Sequence, residues 1–377
     1  MFTDPKDIVV PTMISHYRID EIIGVGAYAV VRVVYDVDRG IKLACKIIPR
    51  IRLASEDLED RFEQEIRVLQ QMNHRNIVQL YDLIKDDNNY YIIMELCPNG
   101  ELFQTIVDRK YLPEHESKKI LYQICSALSY VHDMGAVHRD MKPENLLLSG
   151  NGEIKISDFG FSRYVGNGGL VATSCGSPCY ASPECLSGSP YDGTKSDVWS
   201  SGVIFYAMVT GQLPWTKRNQ NQLFDQIRRG DYKIPSHLSE GCQQMIKGMM
   251  NVDIHKRFSA KDVINHRWLS DCKPNKINSS PILGVSLKTV DKFFNKEEKI
   301  DVSKDLDARR ISSAPGSNFR SIVKQIIKPS LNLSTKLPPL ASSNSTKTTL
   351  RKTRLKSLPP KPFSLPSLEP KVRMRTK

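Results

Sequence analysis

Two short stretches decide how this chain folds: His138-Arg-Asp-Met-Lys-Pro-Glu-Asn145 and Asp158-Phe-Gly160. In the first stretch a carboxylate, an ammonium and an amide follow one another at fixed spacing, in a polar loop with apolar segments on both sides. Phosphoryl transfer needs such a set, because it uses a carboxylate near the attacking hydroxyl, oxygen atoms that bind metal ions, and cations over the migrating charge. The pattern therefore predicts an active site for phosphoryl transfer.

A glycine-rich turn lies upstream, between two strand-like runs. It reads Gly24-Val-Gly-Ala-Tyr-Ala-Val-Val31. Residues without side chains let backbone amides approach phosphate oxygens closely. Glycine pairs of this kind are also common in ordinary turns, so the turn alone leaves both interpretations open.

A lysine ends the next apolar run, Leu43-Ala-Cys-Lys46. Burying an ammonium group is costly unless it meets anions. Glu65, on the helical stretch that follows, would supply one anion and a nucleotide phosphate would supply another. A structural lysine–glutamate pair would look the same in the sequence.

The chain changes from strand-like to helical character near residue 100. Short β-branched runs with one amphipathic helix occupy residues 17–94, and helical periodicity dominates from Glu101 onward. The stretch from Asp197 to Thr210 is apolar on nearly every face, so it must form a helix at the centre of a domain. The layout predicts a small, mostly β lobe followed by a larger, mostly α lobe, and the periodic pattern ends near Trp268.

Residues 17–268 resemble the eukaryotic protein kinase family, on the glycine-rich turn, Lys46 and the two stretches quoted first. The resemblance implies an α+β, bilobal kinase fold that uses ATP and Mg²⁺. It also implies these boundaries: an N-terminal extension at 1–16, an N-lobe at 17–94, a hinge at 95–100 and a C-lobe at 101–268. Beyond them, a composition rich in Ser, Pro, Lys and Thr predicts a basic, mostly disordered tail at 269–377, in which 318–328 has the pattern of a short amphipathic helix.

The resemblance assigns the catalytic roles. Asp140 would accept or orient the substrate hydroxyl proton, and Lys142 would neutralise the γ-phosphate. Asn145 and Asp158 would hold two magnesium ions. Lys46 would bind the α- and β-phosphates.

The resemblance also implies the nucleotide pocket. Adenine would lie between Val31, Ala44 and Leu147 and bond to the hinge backbone, while Glu65 keeps Lys46 in place. The nucleotide-binding residues implied in this way are Ile23, Gly24, Val25, Gly26, Ala27, Tyr28, Ala29, Val30, Val31, Ala44, Lys46, Glu65, Met94, Glu95, Cys97, Glu101, Glu144 and Leu147. Ala29 replaces the third glycine of the family loop, a change expected to weaken nucleotide binding slightly.

Specificity for serine and threonine is implied by Lys142, because tyrosine kinases usually place other residues there. Ser177 would hydrogen-bond near Asp140 and Lys142 and favour short hydroxyl substrates. The run from Thr173 to Pro178 resembles the activation segment of the AMP-activated-kinase-like branch of the calcium/calmodulin-dependent kinase group. Thr173 is then a regulatory phosphosite for an upstream kinase, and Arg139 is the cation expected to receive its phosphate.

Two further features concern the substrate and the large lobe. Glu101 and Glu144 match positions that bind an arginine upstream of the phosphorylated residue in basophilic relatives, so basic protein substrates are expected. Both glutamates also have nucleotide-side or surface interpretations. Glu184 would form an ion pair with Arg257 that has a structural and not a catalytic role. Ser182 replaces the usual alanine before Pro183.

The positive charge belongs to the tail. Residues 1–270 carry 31 basic and 33 acidic side chains, whereas residues 271–377 carry 23 and 8. The amphipathic pattern in the tail suits binding to an acidic partner, a membrane surface or the kinase domain itself, and a transient helix without a partner is the other interpretation. Removal of the tail is expected to raise activity if the tail is inhibitory. Nucleic acid is not expected, because the tail lacks interleaved aromatic residues.

Three general expectations complete the sequence-based interpretation. The eight cysteines are scattered singly and the longest apolar run is Val203 to Val209, which favours reduced thiols and no membrane-spanning segment. A cytoplasmic protein is expected, with import into the nucleus as an option. The competing class is a pseudokinase scaffold, but such proteins usually lack at least one of Lys46, Asp140, Asn145 and Asp158.

Overall fold

The computed structural model describes residues 8–26, 29–53, 56–159, 162–164, 170–171, 177–217, 219–273 and 285–294. All of them belong to one unit of the chain, which comprises residues 1–297 and 368–377; the other unit, 298–367, lies outside the described residues. The amphipathic pattern at 318–328 lies outside them as well. No helix in the described part of the chain is long and apolar enough to cross a membrane.

A six-stranded antiparallel sheet forms the N-terminal lobe, with strand order β1-β2-β3-β4-β6-β5. β-Branched and aromatic residues favour these strands. One face packs into an apolar cluster that includes Tyr17, Val34 and Ile93. The strands of this sheet are β1 (Met13–Ile14), β2 (Tyr17–Val25), β3 (Val30–Asp36), β4 (Ile41–Pro49), β5 (Leu80–Lys85) and β6 (Asn89–Met94).

One long helix, α1 (Glu56–Gln71), accompanies the sheet. Its apolar residues recur at helical spacing, and Phe62, Ile66 and Leu69 are buried in the main core. Leu58 belongs to the same stripe in the sequence but is 39% exposed, because it lies in the first turn of the helix. The buried stripe fixes which side of α1 faces the sheet.

The C-terminal lobe is built around α4 (Gly193–Thr210), in which fifteen residues are buried. Asp192 caps its first turn by accepting a hydrogen bond from the Thr194 amide, and Gly211 ends it with φ +72°. The other helices of this lobe are α2 (Leu102–Arg109), α3 (Glu114–Asp133), α5 (Gln220–Arg229), α6 (Glu240–Met249) and α7 (Ala260–Asn265). The predicted central helix and the predicted α+β, two-lobe fold are confirmed.

Two short antiparallel strand pairs lie near the chemistry-bearing loops. The strands β7 (Ala136–Val137) and β10 (Arg163–Tyr164) form one pair, and β8 (Leu146–Leu148) and β9 (Ile154–Ile156) form the other. The residues between β7 and β8, and those directly after β9, are the two stretches that decided the fold. The pairs therefore anchor both stretches on short strands.

A last helix, α8 (Leu287–Phe293), contacts the N-terminal lobe at α1 and β5. The sequence analysis placed these residues in the mostly disordered tail. Val285, Val290 and Phe293 of this segment are buried. The segment is short and lies among lysine and serine residues, so its composition did not predict this burial. The burial of the three residues depends on the surface on which they pack, which the sequence of the segment does not reveal.

Candidate active site

The lysine that ends the apolar run on β4 meets the predicted glutamate of α1. Lys46 Nζ lies 3.0 Å from Glu65 Oε1 and 4.0 Å from Asp158 Oδ1. Burial alone would lower the pKa of Lys46, but the two carboxylates outweigh burial and raise this pKa. The ammonium group therefore stays charged and is held between α1 and the stretch that follows β9.

The polar loop after β7 brings its three chemical groups together. Lys142 Nζ donates to Asp140 Oδ2 at 2.7 Å, and Asn145 Nδ2 donates to the same oxygen at 3.0 Å. Asn145 Nδ2 also donates to the Asp140 carbonyl at 2.8 Å, which fixes the amide's orientation. Asp140 is 3% exposed. A carboxylate held in this way has a defined direction before any substrate arrives.

The backbone of this loop is held by a residue that the sequence analysis did not single out. Asp197, on α4, accepts hydrogen bonds from the amides of His138 at 2.9 Å and Arg139 at 2.8 Å. His132 Nε2 lies 2.9 Å from the same carboxylate. Burial would raise the pKa of Asp197, but the hydrogen bonds and charges of the two histidines outweigh it and lower this pKa. The sequence feature that could have identified Asp197 is an acidic residue inside an otherwise apolar helix.

The predicted adenine pocket is partly assembled from paired strands. Ala44 is buried and lies opposite Met94, whereas Leu147, on β8, is bridged to Glu101. Within the described residues, no backbone hydrogen bond uses the Glu95 carbonyl or the Cys97 amide, although the Glu95 amide donates to Gln79. Two hinge groups therefore remain available to a planar, hydrogen-bonding ligand.

The hinge contains a further ion pair that sequence reasoning missed. Lys155 Nζ, on β9, lies 2.6 Å from Glu95 Oε1. This pair uses the Glu95 side chain, so only the backbone of Glu95 remains for a ligand. A lysine inside a three-residue strand gave no sequence signal of its partner.

The glycine-rich turn closes between β2 and β3. Gly24 lies opposite Val31 and Val25 opposite Val30, and the Gly26 amide donates to the Ala29 carbonyl at 2.8 Å. A Cβ on Gly26 would lie 3.6 Å from that carbonyl oxygen, an ordinary contact. Ala27 and Tyr28 lie outside the described residues, and Ile23 is half exposed on β2.

The two predicted substrate glutamates lie near each other. Partial burial, together with the negative charge of Glu144, raises the pKa of Glu101. Burial and the charge of Glu144 likewise raise the pKa values of Cys179 and Tyr180. Glu144 Oε2 is buried and has no hydrogen-bond partner within the described residues. An unpaired buried carboxylate oxygen is costly, and this oxygen can still accept a hydrogen bond.

Three further predictions concern residues of the large lobe. Arg257 donates to Glu184 at 2.6 and 2.9 Å in the large lobe, as predicted for a structural pair. Ser182 is fully buried, and its hydroxyl lies 2.9 Å from that of Ser196, so the departure from alanine has a local partner. Ser177 Oγ makes no hydrogen bond to Asp140 or Lys142 in the described part of the structure.

Thr173, Gly176 and Gly160 lie outside the described residues, so the role of Thr173 stays a prediction. The same holds for the hydroxyl selection assigned to Ser177.

Asn145 and Asp158 fit the predicted magnesium ions. Mg²⁺ usually takes one or two protein carboxylates and completes its shell with water and substrate phosphates. The described residues contain no cluster of three or more His, Cys, Asp or Glu side chains that could hold a metal ion. Asp158 is 47% exposed, so its carboxylate is accessible to such a ligand.

Comparison with known proteins agrees with this geometry. The sequence model of the protein kinase domain matches residues 17–269. The chain is 38% identical over 289 residues to the SNF1-related protein kinase catalytic subunit alpha KIN12 of Arabidopsis thaliana, covering 77% of this chain and 57% of that protein. It is 39% identical over 255 residues to the serine/threonine protein kinase OSK3 of Oryza sativa subsp. indica, covering 68% of this chain and 50% of that protein.

A mammalian relative extends the comparison. The serine/threonine-protein kinase SIK1 of Rattus norvegicus is 38% identical over 259 residues, which cover 69% of this chain and 33% of that protein. The chain thus spans about half the length of the plant relatives and a third of the rat protein. These relatives agree with the AMP-activated-kinase-like branch that the activation segment resembled. The chain belongs to the protein kinase domain family.

Proposed function

We propose that this chain is a serine/threonine protein kinase of the SNF1/AMPK-like type, which transfers the γ-phosphate of Mg·ATP to protein hydroxyls. One observation carries the proposal. The Lys46–Glu65 pair is formed at 3.0 Å and Lys46 also lies 4.0 Å from Asp158, while Asp140 is held by Lys142 and Asn145. A site assembled in this way has its charges in place for phosphoryl transfer.

Each residue has a task that follows from its position. The Asp140 carboxylate, oriented by Asn145, accepts the hydrogen bond of a substrate hydroxyl and aligns its oxygen for attack. Lys142 places a positive charge beside that carboxylate, and Lys46 holds nucleotide phosphates. When bound by Asn145 and Asp158, magnesium supplies positive charge that neutralises phosphate oxygens.

The proposal is tested by transfer of labelled γ-phosphate from Mg·ATP to serine, threonine and tyrosine peptides. Asp140→Asn should abolish transfer to serine and threonine peptides, because the amide cannot accept the hydroxyl proton. Asp133→Asn, the same change at an exposed position, is the control. If the unchanged chain transfers nothing, even after phosphorylation of Thr173 by an upstream kinase, the scaffold function is favoured instead.

We also propose that the substrates carry an arginine upstream of the phosphorylated residue. The buried, unpaired oxygen of Glu144, and the negative charge that Glu144 places near Glu101, favour a guanidinium ligand. Glu144→Gln should lower kcat/KM on the order of tenfold for an arginine-containing peptide, since a charge-assisted hydrogen bond contributes about 1.5–3 kcal/mol. The same variant should leave kcat/KM unchanged for a matched peptide with alanine in place of arginine. Equal losses on both peptides would contradict a recognition role.

Activation by phosphorylation of Thr173 is the third part of the proposal. It rests on the resemblance of the activation segment. A phosphate there would add roughly two negative charges, and Arg139 of the catalytic loop is the cation expected to receive it, with Arg61 of α1 as a second. Thr173→Ala should therefore hold the kinase at its basal activity after incubation with an upstream kinase, and Ser174→Ala is the control. Full activation of the Thr173→Ala variant would contradict this mechanism.

A further inference from the structure

The segment 285–294, here called the return segment, follows the C-terminal lobe in sequence but lies against the N-terminal lobe. Ser286 caps α8 by accepting a hydrogen bond from the Thr289 amide at 3.1 Å. Val285, Val290 and Phe293 are buried. The segment is therefore a capped helix with an apolar face, seated on a defined surface.

One side of α1 provides polar contacts for the return segment. Arg67 lies 2.7 Å from Asp291 and also 2.7 Å from Glu63, and Gln70 Nε2 donates to the Val285 carbonyl at 2.7 Å. Positions 63, 67 and 70 are spaced by four and three residues, so they share one face of the helix. The return segment thus contacts a continuous face of α1.

Aromatic packing completes the contact. Phe62 of α1 lies 6.4 Å from Phe293 and 5.6 Å from Phe294 between ring centroids, and Tyr90 of β6 lies 5.4 Å from Phe293. Lys85, at the end of β5, donates to the Phe293 carbonyl at 2.5 Å. The end of α8 is therefore attached to the helix and to the sheet simultaneously.

Glu65, the partner of Lys46, lies outside the face of α1 that carries Glu63, Arg67 and Gln70. Glu65 and Arg67 are two residues apart, which places them about 200° apart around a helix with 3.6 residues per turn. Glu65 reaches Lys46 at 3.0 Å, while Arg67 reaches the return segment. α1 is thus held by two separate contacts, one through Glu65 and one through the return segment.

We propose that the return segment is a positioning element of the catalytic site, which holds α1 where Glu65 pairs with Lys46. The inference rests on the proposed kinase function. Within the described residues, its hydrogen bonds and ring contacts reach α1, β5 and β6 and none reaches Lys46, Asp140 or Asp158. The segment therefore stabilises the position of α1 without contacting the catalytic residues. A truncation at residue 270 would remove this stabilising contact together with the rest of the tail.

The test uses the full-length chain, with all variants in the same phosphorylation state as verified by mass spectrometry. Phe293→Asp places a charge in the buried contact, and Lys292→Asp introduces the same residue at the adjacent exposed position. Hydrogen exchange of the α1 amides measures release of the segment, and steady-state kinetics separate kcat from the peptide KM. Phe293→Leu, which keeps an apolar side chain, serves as the conservative variant.

Phe293→Asp should raise hydrogen exchange in α1 and lower kcat on the order of ten- to a hundredfold, because a displacement of about 1 Å at a catalytic group has that effect. The peptide KM should stay within about twofold, and Phe293→Leu and Lys292→Asp should keep kcat near the unchanged value. Combined with Glu65→Gln, Phe293→Asp should cause little further loss, because both act through the same pair.

An unchanged kcat in Phe293→Asp, with α1 exchange raised, would overturn the inference, and so would losses that multiply in the double variant. If Phe293→Asp does not fold, Asp291→Lys provides the same test at a less buried position. Absence of transfer by the unchanged chain would instead overturn the proposed function. The two failures are thereby distinguished.

Discussion

Asp197 Oδ1 accepts a hydrogen bond from the backbone amide of Arg139 at 2.8 Å, and Arg139 has the left-handed φ of +68°. A non-glycine residue in that region carries strain that its surroundings must compensate. The central helix α4 thus stabilises a strained catalytic loop through one carboxylate.

Asp197→Asn is therefore expected to damage catalysis. Its amide nitrogen would face a backbone donor, and a lost hydrogen bond of this kind costs about 1–3 kcal/mol. We expect a lower urea midpoint and a kcat reduced by at least about tenfold. Asp192→Asn, the same change at the cap of the same helix, should have little effect, because asparagine caps about as well as aspartate. Equal effects of the two variants would contradict this role.

Breaking the Glu184–Arg257 pair should destabilise the large lobe. The Arg257 side chain is fully buried and its guanidinium also donates to the carbonyls of Asn251 and Lys195. Arg257→Ala should cost about 3–5 kcal/mol of unfolding free energy, because it leaves a carboxylate unpaired. Lys256→Ala, at an exposed neighbour, should change stability by less than about 0.5 kcal/mol. Urea unfolding measures both, and an Arg257→Ala midpoint equal to that of Lys256→Ala would refute the expectation.

Gly248 on α6 should not tolerate a side chain. A Cβ at this position would lie 2.1 Å from Cε2 of Phe258, so the ring would have to move. Gly248→Ala should cost about 1–3 kcal/mol through overpacking, and Phe258→Leu should relieve part of the loss. Gly150→Ala is the control, because its Cβ would meet only Pro98, at 3.6 Å. Thermal unfolding that ranks Gly150→Ala as the more damaging change would contradict the packing shown here.

His74 should make stability depend on pH. Burial, followed by the charges of Arg75 and Lys155, lowers its pKa to about 4. The unfolded state therefore binds a proton on His74 at higher pH than the folded state does. The contribution of neutral His74 to the free energy of unfolding is fully present above about pH 6.5 and is lost as the pH falls towards 4.

His74→Gln should remove this component, which is on the order of 3 kcal/mol at most. Urea unfolding between pH 7 and pH 4 measures it, and the slope of stability against pH should be smaller for the variant than for the unchanged chain. His115→Gln, at an exposed histidine, should keep the original slope. A slope that His74→Gln does not change would show that His74 is not the group responsible.

The sequence by itself determined the local chemistry. The loop from His138 to Asn145 and Asp158 specified an active site, and the all-apolar stretch of α4 specified a central helix, because both signals depend only on residue types at short spacing. The Lys46–Glu65 pair was predictable as well, since a buried ammonium requires an anion nearby.

Only the tertiary structure decided which distant residues support that chemistry. Asp197 anchors the catalytic loop across 58 positions of sequence, Lys155 holds the Glu95 side chain, and the return segment contacts α1 across 224 positions. No short-range pattern encodes such contacts, because the sequence shows the same carboxylate or phenylalanine whether the side chain faces solvent or contacts a partner. The energy of each contact depends on burial and on the opposing surface, and both exist only once the chain has folded.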